Sequence, residues 1–127
     1  MPEEPKMVAV VDDDEPVCRA LGRLFRSAGY GVQTFTSGAA FLASCASRRP
    51  DCLVLDLEMP EISGPELMSR LAASAVRVPT VIITGSTDTK LTARAVQAGA
   101  IAVLRKPTDG GQALLDAVEA AIRRNRS

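Results

Sequence analysis

The feature that most constrains the fold of this chain is a short apolar run that stops at a polar side chain, and it occurs four times. Runs of this length, rich in valine, isoleucine and leucine, are typical of strands buried on both faces of a parallel sheet. Parallel strands bring their carboxyl ends to one edge, where open α/β sheets place their functional groups. We therefore expect the residues that end the runs to lie together: Asp12, Asp13, Asp56, Thr84 and Lys106.

The segments between the runs have helical spacing and helix-start residues. Strands are predicted at 7–11, 31–35, 78–84 and 100–104 and along the apolar run that ends at Asp56. Helices are predicted at 15–28, 37–45, 88–98 and about 111–124, and a further helix starts at Pro65 and includes Leu71. Strands that alternate with helices through short loops require a parallel sheet covered on both faces. Right-handed crossovers leave few topologies. The flavodoxin-like order 2-1-3-4-5 is the one that places the strand before Asp13 beside the strand of Asp56.

Composition limits the function further. The 127 residues predict a single domain, folded over about 7–124 after a disordered leader at 1–6. Fifteen basic residues balance 15 acidic ones, so charge gives no reason to expect direct binding of nucleic acid or an anionic membrane. No apolar run reaches the roughly 18 residues of a membrane span, and the acidic start does not suit a signal peptide, which favours a cytoplasmic protein.

Histidine is absent and the three cysteines lack CxxC spacing. A zinc site is therefore not expected, and a catalytic dyad with histidine is excluded. We expect Cys18, Cys45 and Cys52 to be reduced, as in most intracellular proteins.

Clustered carboxylates need positive charge nearby. Two unit charges about 4 Å apart repel by around 4 kcal/mol at an effective dielectric of 20. An all-oxygen site suits Mg²⁺, and Lys106 supplies a second positive charge. This arrangement would let Asp56 attack a phosphoryl group as a nucleophile while the cations neutralise its oxygens and Thr84 donates a hydrogen bond.

Four short motifs carry a resemblance to a known family. They are Asp12-Asp13 after a strand, Asp56 followed by Met59-Pro60 and Gly64, Thr84-Gly85, and Lys106-Pro107. Together, in this order and over essentially the whole chain, they resemble the receiver domain of two-component response regulators. The segments VDDDEPV, LEMPEISGPEL and ITGSTD with AVQAGA look most like receivers of FixJ-type transcriptional regulators.

The resemblance implies a signalling switch rather than an enzyme, with a role for each motif. Asp56 would accept a phosphoryl group from a sensor histidine kinase. Mg²⁺ would be bound by Asp13, by Asp12 mainly through water, by Asp56 and by the backbone carbonyl of Glu58. Thr84 and Lys106 would contact the phosphoryl group. The surface of the fourth helix and fifth strand would then change and regulate an output such as transcription, and a homodimer could form through it.

Two positions depart from the family pattern. Receivers usually carry an aromatic residue three places before the lysine, where this chain has Val103, and a phenylalanine after Lys-Pro, where it has Thr108. The phosphorylation chemistry does not depend on either. The path from the site to the fourth helix, and dimerisation through it, are what these departures affect.

Other classes of protein share some features of this pattern. A haloacid-dehalogenase-like phosphatase also uses an aspartate nucleophile, but its second aspartate is replaced here by Glu58. A dinucleotide-binding module needs a glycine-rich loop where this chain has acidic residues. A receiver fold acting as a phosphorylation-independent binding scaffold remains the main alternative.

Overall fold

A computed structural model describes residues 4–106 and 110–125. Strands and helices alternate along this part of the chain. The strands are β1 (Met7–Val11), β2 (Gly31–Phe35), β3 (Cys52–Asp56), β4 (Thr80–Thr84) and β5 (Ala102–Arg105). The helices are α1 (Glu15–Ser27), α2 (Gly38–Cys45), α3 (Gly64–Ala73), α4 (Thr89–Gln97) and α5 (Gln112–Arg124).

The strands form one parallel sheet in the order β2-β1-β3-β4-β5. This confirms the predicted flavodoxin-like topology. β3 lies at the centre, and all five of its residues are buried. Its register pairs Leu55 with Val11 of β1 and Asp56 with Ile83 of β4. Residues at the carboxyl ends of these three strands are consequently neighbours.

Each face of the sheet has its own apolar core. On one face, α1 and α5 pack against alternate strand residues around Phe25 and Leu114. On the other, α2, α3 and α4 pack around Phe41 and Leu67. The alternation of side chains along each strand divides the apolar residues between the two layers. The result is a rigid central sheet whose open edge carries polar groups.

Short polar side chains begin four of the helices. The side chains of Asp14, Ser37, Ser63 and Asp88 accept hydrogen bonds from backbone N–H groups in the first turns of α1, α2, α3 and α4. These bonds satisfy donors that a helix start otherwise leaves unpaired. Pro16 lies in the first turn of α1, as its missing N–H allows. α5 differs, because Gly111 precedes it and provides no side-chain cap.

Two strand boundaries differ from the predicted ones. β4 begins at Thr80 and not at 78, because Pro79 has no N–H to contribute to the ladder. β5 begins at Ala102 and not at 100, because Ala100 N–H bonds the Ala95 carbonyl at the end of α4. That bond belongs to the helix-terminating motif at Gly99, so Ala100 cannot also join the strand. β5 instead extends one residue further, to Arg105.

Some sequence-based expectations fall outside the described residues. These are the start of the predicted leader, at 1–3, and the positions of Pro107 and Thr108. Among the residues that are described, no helix combines the length and apolar character needed to cross a membrane.

Candidate functional site

Asp56 is held at the open edge by its own strand and by the loop that follows. Its side chain is 8% exposed, so it faces a cleft while its backbone remains in the buried ladder. Gly64 begins α3 directly beneath, and its N–H donates to the Leu57 carbonyl at 2.9 Å. A Cβ atom at Gly64 would lie 2.8 Å from the Asp56 carbonyl oxygen. Glycine is therefore required there by close packing of backbone on backbone.

Two further carboxylates come from the end of β1. One oxygen from each of Asp12, Asp13 and Asp56 can be chosen so that all three lie within 4.8 Å of one another. Asp12 is fully buried, whereas Asp13 is exposed. Asp12 Oδ1 accepts a hydrogen bond from Asp14 N–H at 2.9 Å, which fixes the orientation of the carboxylate. The structure thus brings together the three acids that the sequence placed on neighbouring strand ends.

Lys106 neutralises part of this charge. Its Nζ lies 2.5 Å from Asp12 Oδ2 and 3.2 Å from Asp56 Oδ1. Burial alone would lower the pKa of Lys106, but Asp12 and Asp56 outweigh burial and raise it, so the ammonium stays charged. Asp12 Oδ2 makes no hydrogen bond of good geometry in the described part of the chain and has only this ion pair.

Asp56 has a strongly perturbed acidity. Its burial, followed by the Asp12 carboxylate, raises its pKa from 3.8 to about 7, although Lys106 acts in the opposite direction. One ammonium shared between two carboxylates leaves the cluster short of positive charge. Perturbed acidity of this kind, at an open strand edge, is typical of functional sites.

The residues around Asp56 form a cleft of about 310 Å³. Its lining consists of Asp56, Glu58, Thr84, Gly85, Ser86 and Lys106. Thr84 ends β4, and its hydroxyl oxygen accepts a hydrogen bond from Ser86 N–H at 2.8 Å. The cleft therefore contains a carboxylate, an ammonium and a hydroxyl group around one small space. This set matches the needs of a phosphoryl group with its charged oxygens.

The donor set fits Mg²⁺. Three carboxylates within 4.8 Å of one another share the single ammonium of Lys106, and the pKa of Asp56 is raised, so the site is short of positive charge. Hard oxygen ligands are those that Mg²⁺ prefers. Asp12, Asp13 and Asp56 would hold the ion, and it would supply Lewis-acid neutralisation of phosphoryl oxygens.

Sequence reasoning missed two residues beside the cleft. Ser86 bonds the Thr84 hydroxyl through its N–H, and Arg105 Nη1 donates to the Ser86 carbonyl at 3.3 Å. The segment Ser86-Thr87-Asp88 has the composition of a helix start, which is a weak signal for Ser86. Arg105 gives no signal, because an exposed cation at a strand end is common.

The geometry agrees with the comparison to known families. The model of the response regulator receiver domain matches residues 8–119, which is most of the chain. This chain belongs to the response regulator receiver domain family. Its members signal within two-component systems rather than acting as classical enzymes, so the predicted family and signalling class are confirmed.

Receiver relatives of known name include several regulators of transcription. Nodulation protein W of Bradyrhizobium diazoefficiens is 42% identical over 120 residues, which cover 94% of this chain and 52% of that protein. The transcriptional regulatory protein FixJ of Rhizobium meliloti is 36% identical, with 90% and 55% covered. The receiver chain thus spans about half the length of these relatives.

Solved receiver structures show the same fold. The crystal structure of FixJ-N superposes with a TM-score of 0.87 at 34% identity and covers 97% of this chain and 96% of that one. The response regulator StyR gives a TM-score of 0.84 at 46% identity, with 95% and 61% covered. The similarity to FixJ-type receivers predicted from the motifs is confirmed by these matches.

Proposed function

We propose that this receiver is a Mg²⁺-dependent phosphorylation switch whose phospho-acceptor is Asp56. The single observation that supports this most is a group of three carboxylates, two of them paired with Lys106, beside a cleft lined by Asp56, Lys106 and Thr84. Among the described residues, Asp56 alone is both a buried carboxylate and part of the cleft lining. The other buried carboxylate, Asp12, pairs with Lys106 behind it.

The proposed reaction transfers a phosphoryl group from a phosphohistidine of a sensor kinase. An Asp56 carboxylate oxygen attacks phosphorus, an O–P bond forms, and the P–N bond to the imidazole breaks. The imidazole nitrogen leaves with the bonding electron pair and takes up a proton from solvent. These 127 residues contain no histidine, so the phosphoryl donor lies outside them.

The chain's own residues have distinct tasks in this proposal. Lys106 stays charged and neutralises a phosphoryl oxygen, at the cost of loosening its contact with Asp56. Thr84 donates its hydroxyl to another oxygen. Asp12 and Asp13 hold the Mg²⁺, with the Glu58 backbone carbonyl as a further ligand. Their negative charge also makes an unmetallated site a poor host for a phosphoryl dianion.

The downstream response is proposed to use α4 and β5. Two large apolar side chains are exposed there, Val96 at 55% and Ile101 at 36%, which supports a homodimer through this face after phosphorylation. The proposed output is regulation of transcription, which the naming of the relative FixJ supports and which would require a part of the regulator beyond this domain. The proposed location is the cytoplasm. Direct binding of nucleic acid by the receiver is not part of the proposal.

Incubation with acetyl phosphate and Mg²⁺, followed by intact mass, tests the switch. We expect wild type to gain one phosphoryl group. Asp56→Asn should gain none, whereas the matched control Asp116→Asn, on the exposed face of α5, should behave as wild type. EDTA should abolish the gain.

A receiver fold used as a phosphorylation-independent scaffold gives a different result. No mass gain with acetyl phosphate, phosphoramidate or a phosphorylated kinase would favour the scaffold. A gain that persists in Asp56→Asn would refute the assignment of the acceptor.

A further inference from the structure

The loop between β4 and α4 is a continuous hydrogen-bonded chain. Ser86 N–H donates to Thr84 Oγ1 at 2.8 Å, Asp88 N–H donates to Ser86 Oγ at 2.9 Å, and Leu91 N–H donates to the Asp88 carboxylate at 3.0 Å. Thr92 Oγ1 adds a bond to the Asp88 carbonyl at 3.0 Å. Successive hydrogen bonds thus link Thr84, Ser86 and Asp88 to the first turn of α4.

The Thr84 hydroxyl can respond to a group bound in the cleft while it keeps its hydrogen bond to Ser86. A hydroxyl group has one proton to donate and can accept two hydrogen bonds. Ser86 N–H uses one acceptor position, and no hydrogen bond recorded among the described residues uses the proton. Thr84 can therefore donate to a phosphoryl oxygen while Ser86 stays bonded to it. A shift of the Thr84 hydroxyl toward Asp56 then moves Ser86 as well.

Arg105 opposes that movement from the edge strand. Its Nη1 donates to the Ser86 carbonyl at 3.3 Å. The backbone beneath is fixed, because Thr84 pairs with Arg105 in the sheet and Lys106 N–H bonds the Thr84 carbonyl at 2.8 Å. Movement of the β4–α4 loop therefore breaks the hydrogen bond between Arg105 and Ser86 before it disturbs the pairing of β4 with β5.

There is room for the loop to move. A cleft of about 460 Å³ lies between the loop, the start of α4 and β5, where Val103 leaves space that a larger side chain would fill. Val103 and Arg105 are two residues apart in β5, so their side chains lie on the same face of the sheet, opposite to that of Leu104. Among the residues that the structure describes, Arg105 is the β5 residue whose side chain hydrogen-bonds the loop.

We propose that Arg105 is a positioning residue that holds the β4–α4 loop in its unphosphorylated arrangement through the Ser86 carbonyl. Phosphorylation of Asp56 draws Thr84 and Ser86 inward and breaks the Arg105–Ser86 hydrogen bond. This proposal rests on the proposed function of Asp56. By thermodynamic linkage, the Arg105–Ser86 hydrogen bond opposes the phosphorylated arrangement by the same free energy by which phosphorylation weakens that hydrogen bond.

Hydrogen exchange of the 85–92 segment tests the proposal in two states. In the unphosphorylated protein, Arg105→Ala should exchange about two- to tenfold faster over this segment than wild type, the range for loss of one hydrogen bond. With acetyl phosphate and Mg²⁺, wild type should accelerate in the same segment, and the two proteins should become similar. Arg105→Lys, which keeps the charge and a donor, should lie between them.

Arg94→Ala is the matched control. It removes the same charge from an exposed position on α4, and none of the loop hydrogen bonds described above uses its side chain. It should leave exchange of 85–92 unchanged in both states. Equal exchange of Arg105→Ala and wild type without phosphoryl donor would overturn the proposal. Intact mass on the same samples shows separately whether Asp56 is phosphorylated, so failure of the switch itself is distinguishable.

Discussion

Replacement of Asp56 by asparagine should stabilise the metal-free protein, and the gain should depend on pH. The cause is the raised pKa of Asp56, which burial and then Asp12 shift from 3.8 to about 7. Between about pH 4 and pH 7 the folded protein binds a proton that the unfolded chain does not. The free energy of unfolding therefore falls as pH rises through this window and levels off above it.

The magnitude follows from the shift. A difference of about three pH units corresponds to roughly 4 kcal/mol, at 1.36 kcal/mol per unit, and this is an upper bound. Coulomb repulsion gives a similar scale, because two carboxylates about 5 Å apart repel by about 3 kcal/mol at an effective dielectric of 20. Asparagine has the same shape and keeps an oxygen for Lys106. We expect Asp56→Asn to be more stable than wild type by about 2–4 kcal/mol at pH 8 and by about 1 kcal/mol at pH 4.5.

Urea unfolding followed by circular dichroism measures this difference, since the chain has no tryptophan. Asp116→Asn on exposed α5 is the control and should stay within about 0.5 kcal/mol of wild type at every pH. Added Mg²⁺ should stabilise wild type more than Asp56→Asn, because the variant lacks one charged ligand. A gain that is the same at both pH values, or no gain at pH 8, would refute the electrostatic argument.

Two further predictions concern the backbone. Gly64→Ala places its Cβ 2.8 Å from the Asp56 carbonyl oxygen, so it should lower the free energy of unfolding by about 1–3 kcal/mol and slow phosphorylation of Asp56 by acetyl phosphate. Normal kinetics in this variant would contradict the close-packing argument. Ala75→Gly should stabilise the protein by about 1 kcal/mol in urea unfolding, because Ala75 has a φ of 59° that glycine adopts without strain. Ala72→Gly, inside α3, should instead destabilise by a similar amount, and equal effects of the two would count against strain at Ala75.

Much of the fold could be predicted because β1 and β3 are uninterrupted apolar runs with a polar end. Their side chains are buried on both faces, so the local pattern and the tertiary environment agree. The starts of β4 and β5 could not be placed as well. Pro79 decides the first because it has no N–H for the ladder, and Ala100 decides the second because its N–H bonds the Ala95 carbonyl. Hydrophobicity reports neither.

Some residues of the candidate site could likewise be predicted from the sequence, and others could not. Asp12, Asp56 and Lys106 each end a strand, so the strand order alone brings them together. Arg105 and Ser86 meet through a side chain that reaches from one strand to the loop after its neighbour. Such a contact depends on rotamer and loop geometry, and no spacing in the sequence indicates it.

α4 is packed less tightly than the central strands, and this determines where the domain can change shape at a low cost in free energy. Ala95 is its one fully buried residue, and β5 beside it is only partly buried, while β1, β3 and β4 are almost entirely enclosed. Free energy of folding is concentrated in the middle of the sheet, so the α4 side can detach or tilt as a local opening of low cost. The acidic centre belongs to the enclosed part of the sheet, so if Asp56 is phosphorylated as proposed, we expect α4 and β5 to be displaced before the central strands are.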